Sequence, residues 1–438
     1  MPRERSAGAL RRALLLAVFT LSGASGLIYE VLWTRRLTHI FGSTTLAVST
    51  VLAAFMGGLA VGSVILGAWA DRNRDRALRT YGLLEIAIAV LGLSIPLLLK
   101  AVEALYLAAA PALGNAPTVF FVVQFVLVGA VLALPCALMG GTLPMLARWL
   151  VGRPEEIGGR VGALYAANTL GAFAGTAAAT YILLPRTGVR EGELVAVGVN
   201  LFAGWVALAM AWKRESLRFQ VSGLRSEPEV VGAGEAHRVD ARLVLWATCL
   251  SGFACMVDEV AWARLVSLVF GSSVYAFGLM LLLFLGGMSV GSAIFARLRR
   301  ADPARVLGVA LVANTLASLL GIAAVPHLAA VYMRGFPAVR DSFALQQALQ
   351  IFETAPLLLP LAILFGIAFP AAVVAVADVP GMGRGVGRVT AWNTAGTVAG
   401  AFLGGFVLIP RIGLRATLTV GAAATAVGGL LALKRAAA

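Results

Sequence analysis

Charge is scarce in this chain, and so are the side chains that ligate metals. Only 13 per cent of its 438 residues are Asp, Glu, Lys or Arg, where an average soluble domain carries about 25 per cent. With 60 per cent hydrophobic residues and a mean hydropathy of +0.90, the composition excludes an ordinary soluble globular protein. Three histidines and three cysteines are too few and too scattered for a metal centre, so neither metal nor cofactor is expected. Cys136, Cys249 and Cys255 all stand inside apolar runs, where small buried residues are expected rather than a disulfide framework. Acids are outnumbered, 21 against 35 Lys and Arg. The resulting charge of +14 follows membrane topology, described below, and not a basic face for nucleic acid.

What the chain does have is a repeat. Ser22-Gly23 through Glu30-Val31, Trp33 and Arg35, on to Phe41-Gly42-Ser43, Gly57-Gly58 and Gly62-Ser63, recurs as Ser251-Gly252, Glu259-Val260, Trp262, Arg264, Phe270-Gly271-Ser272, Gly286-Gly287 and Gly291-Ser292. Residues 22 to 63 and 251 to 292 share 17 identities in 42 positions without a gap, the mark of a tandem duplication. Later parts match with small insertions: Gln124 with Gln350, Gly140 and Pro144 with Gly366 and Pro370, Asn168 with Asn393, and Pro185-Arg186, Gly188 and Arg190 with Pro410-Arg411, Gly413 and Arg415.

Apolar runs of membrane-spanning length fall at about 12–34, 44–70, 80–101, 118–147, 161–184 and 192–212, and again at 243–263, 273–296, 305–332, 350–377, 389–409 and 415–433. The basic start followed by Ala13 to Leu21 has the look of a cleavable leader. The internal copy of the same helix argues for a retained first span instead. An all-α integral membrane protein with 12 transmembrane helices is therefore expected, as a six-helix repeat 1–212, a cytoplasmic connection 213–242 and a second six-helix repeat 243–438. An even number of spans per repeat makes the two parallel, as in the halves of a major facilitator. With both termini in the cytoplasm, 25 of the 35 Lys and Arg lie inside, which satisfies the positive-inside rule for a plasma (inner) membrane protein.

The loop after the second span reads Gly67-Ala68-Trp69-Ala70-Asp71-Arg72-Asn73-Arg74. It is similar to the major facilitator signature between spans two and three, except that Arg74 replaces a glycine. The opening stretch, Ser22-Gly23 with Leu27-Ile28-Tyr29-Glu30-Val31 and Trp33, resembles the membrane portion of the fused major facilitator and spermidine synthase family over nearly the whole chain. That resemblance implies a major-facilitator-like fold and a link to polyamine chemistry. It does not carry the family's synthase activity, because neither the connection nor the tail has room for a soluble aminopropyltransferase-like domain. The chain is expected not to be an enzyme.

Acids inside apolar spans demand a reason, since an Asp at the centre costs roughly 2.5 to 3.5 kcal/mol on insertion scales. The candidates are Glu30, Glu85, Asp258, Glu259 and Glu353, with the amides Asn168 and Asn393. Glu30 and Glu259 stand out because the duplication retains both, each with a tryptophan, Trp33 and Trp262, three residues on. They suit a cationic solute through charge pairing and cation–π contact, or proton coupling, or else structural ion pairs with basic residues such as Arg35 and Arg264. Arg35 and Arg264, which would make an outer gate with Glu30, and Asp71 and Arg72 of the inner loop are the candidate gate or ion-pair residues. The leading expectation is a secondary transporter in the lipid bilayer for a small, cationic, polyamine-like solute. The alternative is a membrane partner or scaffold for a separately encoded, soluble synthase-like enzyme.

Overall fold

The computed structural model describes residues 2–41, 44–113, 117–221, 241–271, 274–298, 301–378 and 380–437. Most of the connection expected at 213–242 lies outside the described residues, and so does the side chain of Gln124. Every long element is helical: α1 Pro2–Phe41, α2 Thr44–Arg72, α3 Ala77–Leu113, α4 Pro117–Leu150, α5 Ile157–Ala178, α6 Val189–Val221, α7 Ala241–Phe270, α8 Val274–Phe295, α9 Pro303–Val339, α10 Phe343–Val376, α11 Met382–Phe402 and α12 Ile409–Ala437. Helices suit these apolar runs because each satisfies its own backbone where no water is available. Two π-helical segments extend α5 and α11: π1 Ala179–Leu183 and π2 Leu403–Leu408.

Eleven segments among the described residues are long and apolar enough to cross a membrane, where the sequence predicts twelve. The difference lies at the end of the chain. There α11, π2 and α12 follow one another without a polar interruption and count as one segment of 56 residues, Met382–Ala437, with a non-helical residue, Gly413, inside it. At 1.5 Å per residue that is about 84 Å, against a hydrocarbon core of about 30 Å. Gly413, at φ 78 and ψ 170, turns the chain inside it. Gly188 holds a matching positive φ of 89 after π1, a conformation glycine adopts without the steric cost of a β-carbon.

Within residues 1–221, α1 packs on α5 and α6, α2 on α4, and α3 on α4 and α6; within 241–437, α7 packs on α11 and α12, α8 on α10, and α9 on α10 and α12. Contacts at the closest approaches also recur. A β-carbon on Gly171 would fall on the Thr20 carbonyl, and one on Gly396 on the Cys249 carbonyl. Gly175 meets Ala24 and Gly400 meets Phe253 in the same way; Gly62 meets Ala137 and Gly291 meets Ile363. Lipid tails are as apolar as leucine, so helices here associate by close packing rather than by escaping water, and small residues permit that approach.

The two sets of helices meet along α2·α11 and α5·α8, with α4·α11 and α5·α10 beside them. Two ends of the bundle are named below by their charged residues: the Asp71 end, where α2 stops, and the Arg36 end, where α1 stops.

A test follows from the glycine contacts. Gly62→Ala is expected to cost about 1–3 kcal/mol through overpacking, seen as an earlier thermal unfolding midpoint in detergent. Gly129→Ala, with nothing within 4 Å of the new carbon, is expected to be neutral or stabilising, since alanine is the better helix former by up to about 1 kcal/mol. Equal loss from both would contradict the packing account.

Candidate functional site: buried acids between the two helix sets

The acids expected from the sequence fall into different environments. Glu85 on α3 is fully buried and satisfied: Ser22 Oγ on α1 donates to Oε1 at 2.6 Å, and Asn200 Nδ2 on α6 donates to Oε2 at 2.5 Å. Three helices of the first set are tied together by one carboxylate, a closed structural triad. Nothing in the sequence marked Ser22 and Asn200 as its partners.

Glu30 and Glu259 are arranged otherwise. Glu30 on α1 is buried, 9 per cent exposed, and Glu259 on α7 is half-buried. Neither carboxylate has a hydrogen bond or ion pair among the described residues, yet Glu30 lies within electrostatic reach of Glu259. The two repeat-matched acids thus stand on different helix sets, within electrostatic reach of each other. Glu30 stands seven residues short of the end of its span at Leu37, about 10 Å, so the pair sits nearer the Arg36 end. Each of the two helices that carry them has a π-helical neighbour. π1 packs against α1, π2 packs against α7, and Gly404 and Gly405 of π2 face Val257 and Val260. Such segments are common at functional sites because they locally break the helical register.

The tryptophans go elsewhere. Trp33, fully buried, stacks on Tyr29 at 4.9 Å and joins the apolar core with Ile88 and Ile95 of α3. Trp262, 1 per cent exposed, packs over Gly321 of α9. Both indoles brace their own helix sets. The surface between the sets is aromatic through other residues: Tyr165 of α5 stacks on Phe369 of α10 at 4.5 Å. Asn168 and Asn393, both half-buried, sit against Gly23 of α1 and Gly252 of α7, with each Oδ1 about 3 Å from where a β-carbon would stand. Asp258 and Glu353 are buried with all four carboxylate oxygens unpaired.

At the Arg36 end the ion pair is not made by Arg35 or Arg264, which are exposed. Arg36 grips Glu193 of α6 with two hydrogen bonds, Nε to Oε1 at 3.1 Å and Nη2 to Oε2 at 2.7 Å. Glu193 is a functional candidate that sequence reasoning passed over, although it stands as the second residue of the span read at 192–212. Between the two helix sets at this end, Tyr181 of π1 donates to Gln347 Oε1 at 3.1 Å and its ring lies 5.6 Å from Tyr275 of α8.

The Asp71 end is closed by backbone and charge. Gly67 of α2 abuts Gly383 of α11, Gly387 abuts Ser63, and on the other side Gly162 abuts Ala296 while Ser289 Oγ donates to the Ala166 carbonyl at 3.1 Å. Asp71 accepts the first-turn amides of α11, Gly383 N at 2.7 Å and Arg384 N at 2.8 Å, and pairs with Arg384 Nε at 3.2 Å and Arg148 Nε at 3.4 Å. A carboxylate at a helix N-terminus meets unpaired N–H groups and the positive end of the dipole. Here the cap and the helix belong to different helix sets. Arg72 is exposed. Among the described residues no three His, Cys, Asp or Glu gather as a metal site.

The arrangement of all helices compares with solved structures. A bacterial homologue of the iron transporter ferroportin in an outward-facing state aligns with a TM-score of 0.63 at 15 per cent identity, covering 98 per cent of this chain and 99 per cent of that one. The human organic anion transporter MFSD10 gives 0.57 at 14 per cent over 96 and 99 per cent. The major facilitator superfamily transporter FucP in its outward conformation gives 0.55 at 15 per cent over 97 and 98 per cent. The chain has the major facilitator fold. No family model matches the sequence. Among curated proteins, polyamine aminopropyltransferase 2 of Streptomyces coelicolor is 29 per cent identical over 211 residues, 48 per cent of this chain and 36 per cent of that protein. Polyamine aminopropyltransferase 1 of the same organism is 29 per cent identical over 225 residues, 51 and 38 per cent. The chain spans little more than a third of the length of these relatives.

If Asp71 holds this end shut, Asp71→Ala is expected to loosen it. In a background without native cysteines, Ser63→Cys, buried at the Gly387 backbone, should react several-fold faster with a thiol reagent once Asp71 is replaced. An unchanged rate would show that the glycine contacts hold the end alone.

Proposed function

We propose that this major facilitator fold is a secondary transporter of a small cationic solute of polyamine type, bound between Glu30 and Glu259. The observation that carries the reading is that two repeat-matched carboxylates, one from each helix set and neither with a partner among the described residues, lie within electrostatic reach of each other. A solute with two separated positive charges meets one acid from each set. The names of the curated relatives, both polyamine aminopropyltransferases, support polyamine chemistry as the direction in which to look.

Twelve crossings in two parallel six-helix repeats, 1–212 and 243–438 joined by 213–242, complete this reading. The long final segment counts as two crossings that turn at Gly413. The excess of Lys and Arg at the Asp71 end supports a cytoplasmic position for that end and for both termini, in the plasma membrane. Opening and closing would then alternate between the Asp71 cap and the Arg36 end, with the π segments against α1 and α7 as the places where α5 and α11 bend.

A second reading has its own support, the names of the curated relatives and the small share of their length that this chain spans. In it the chain is a membrane partner for a separately encoded synthase-like enzyme.

The two part on flux. Purified protein in vesicles is expected to take up a labelled polyamine saturably, and Glu30→Gln or Glu259→Gln to lower uptake at least tenfold, which corresponds to about 1.4 kcal/mol. Glu85→Gln, in the closed triad, is expected to keep most of it. No polyamine flux in either direction, with an aminopropyltransferase-like enzyme recovered on the purified protein, would replace the first reading with the second.

A further inference from the structure

Equivalent three-helix seams treat their buried acids in opposite ways. In the first set α1, α3 and α6 close on Glu85 with two donors, Ser22 and Asn200. In the second set the corresponding helices α7, α9 and α12 close on Asp258, which is 0 per cent exposed and has no donor on either oxygen. Its Oδ1 points at α12, 2.9 Å from the position a β-carbon on Gly421 would occupy. One turn further along α7, Trp262 lies on Gly321 of α9. Helices α7 and α9 run in the same direction, so stepping back one turn on each brings Asp258 level with Ser318. Ser318 is 4 per cent exposed with Oγ unpaired; a turn beyond it, Asn314 is fully buried with Oδ1 unpaired, though its Nδ2 donates to the Leu361 carbonyl at 3.1 Å.

Asp258 Oδ1 and Oδ2 and Asn314 Oδ1 can only accept, while the Ser318 hydroxyl both donates and accepts. A buried polar group without a partner is rare in folded proteins, and each instance calls for a specific occupant. Three acceptor-only oxygens, two of them on a carboxylate, ask for positive charge. No basic side chain supplies it, since α9 has no charged or titratable residue from Val306 to Pro326 and α12 none from Ala416 to Leu433. On α7 itself Cys255 lies within reach of the Asp258 charge, and Glu259 follows it, turned by about 100° around the helix.

We propose that the α7/α9/α12 seam is a monovalent cation site, for a proton or Na⁺, with Asp258 as the ligating carboxylate and Ser318 and Asn314 as neutral oxygen partners. Hard cations of low charge take carboxylate, hydroxyl and amide oxygens readily. A proton serves the same set by turning one Asp258 oxygen into a donor. The seam lies within one helix set, apart from the Glu30–Glu259 pair, and the site stands without the transport reading, because binding can be measured on the isolated protein.

The test uses the full chain in detergent micelles, thermal unfolding being followed in NaCl and in equal choline chloride, and the infrared carboxyl region being recorded in choline at neutral pH. A Na⁺ site shows as an unfolding midpoint that rises with NaCl and not with choline. A proton site shows as a protonated-carboxyl band with no such dependence. Asp258→Asn is expected to abolish the NaCl dependence, or to remove one component of the carboxyl band and leave those of other buried acids such as Glu353, while Glu85→Gln in the first seam keeps the Asp258 signal. Gly421→Ala, which crowds Oδ1, is expected to weaken Na⁺ stabilisation several-fold or to shift the band, and it carries the test if Asp258→Asn does not fold. The proposal is overturned if the parent shows neither signal, or if these two seam variants leave both signals as they were.

Discussion

Close approach at glycine is the constraint on which everything else in this molecule rests. Inside a bilayer no water is released when two apolar helices touch, so contact area alone does not decide which helices pair. Removing the β-carbon does, because it lets one backbone come to the carbonyls of another. The glycines at 171, 175, 396 and 400 set α5 against α1 and α11 against α7. Those contacts fix where α1 and α7 stand, and hence where Glu30 and Glu259 project.

Against that rigid frame the acids divide by how they are satisfied. Glu85, Glu193 and Asp71 each accept well-placed donors, and each ties helices together: α1 with α3 and α6, α6 with α1, and α11 with α2 and α4. Glu30 and Glu259 have no such donor among the described residues, and they stand on helices of different sets. Burial of an unpaired carboxylate is unfavourable by several kcal/mol, so these two, like Asp258 and Glu353, are the acids that the packing leaves uncompensated. Asp258 differs in this from Glu85, although both lie in equivalent seams.

Much of this was legible in the sequence. Helical class came from apolar run length, and the matched positions of Glu30 and Glu259 from the ungapped match of residues 22–63 with 251–292, which depend on local pattern alone. Partners were not legible, because periodicity gives the face of a helix and not the atom it meets. Arg35 and Arg36 are adjacent and about 100° apart around α1, and only the packing of α6 decides that Arg36 takes Glu193. Trp33 shares a face with Glu30 by spacing, yet the core between α1 and α3 claims the indole. Asp71 stood out as a loop acid, but its work on the first turn of α11 joins residues more than 300 positions apart. The final segment counts as one span by apolar length alone, because its turn at Gly413 comes without a polar interruption.

Whether Glu30 and Glu259 share one solute path is tested most directly by their own accessibility. With the native cysteines removed, Glu30→Cys and Glu259→Cys are each exposed to a water-soluble thiol reagent in the presence and absence of excess polyamine. The account predicts that both react and that polyamine slows both, each at concentrations at least tenfold above those the unsubstituted protein needs, because each variant keeps only one of the two acids. A contradiction would be two positions that never react, or that react at rates polyamine does not change.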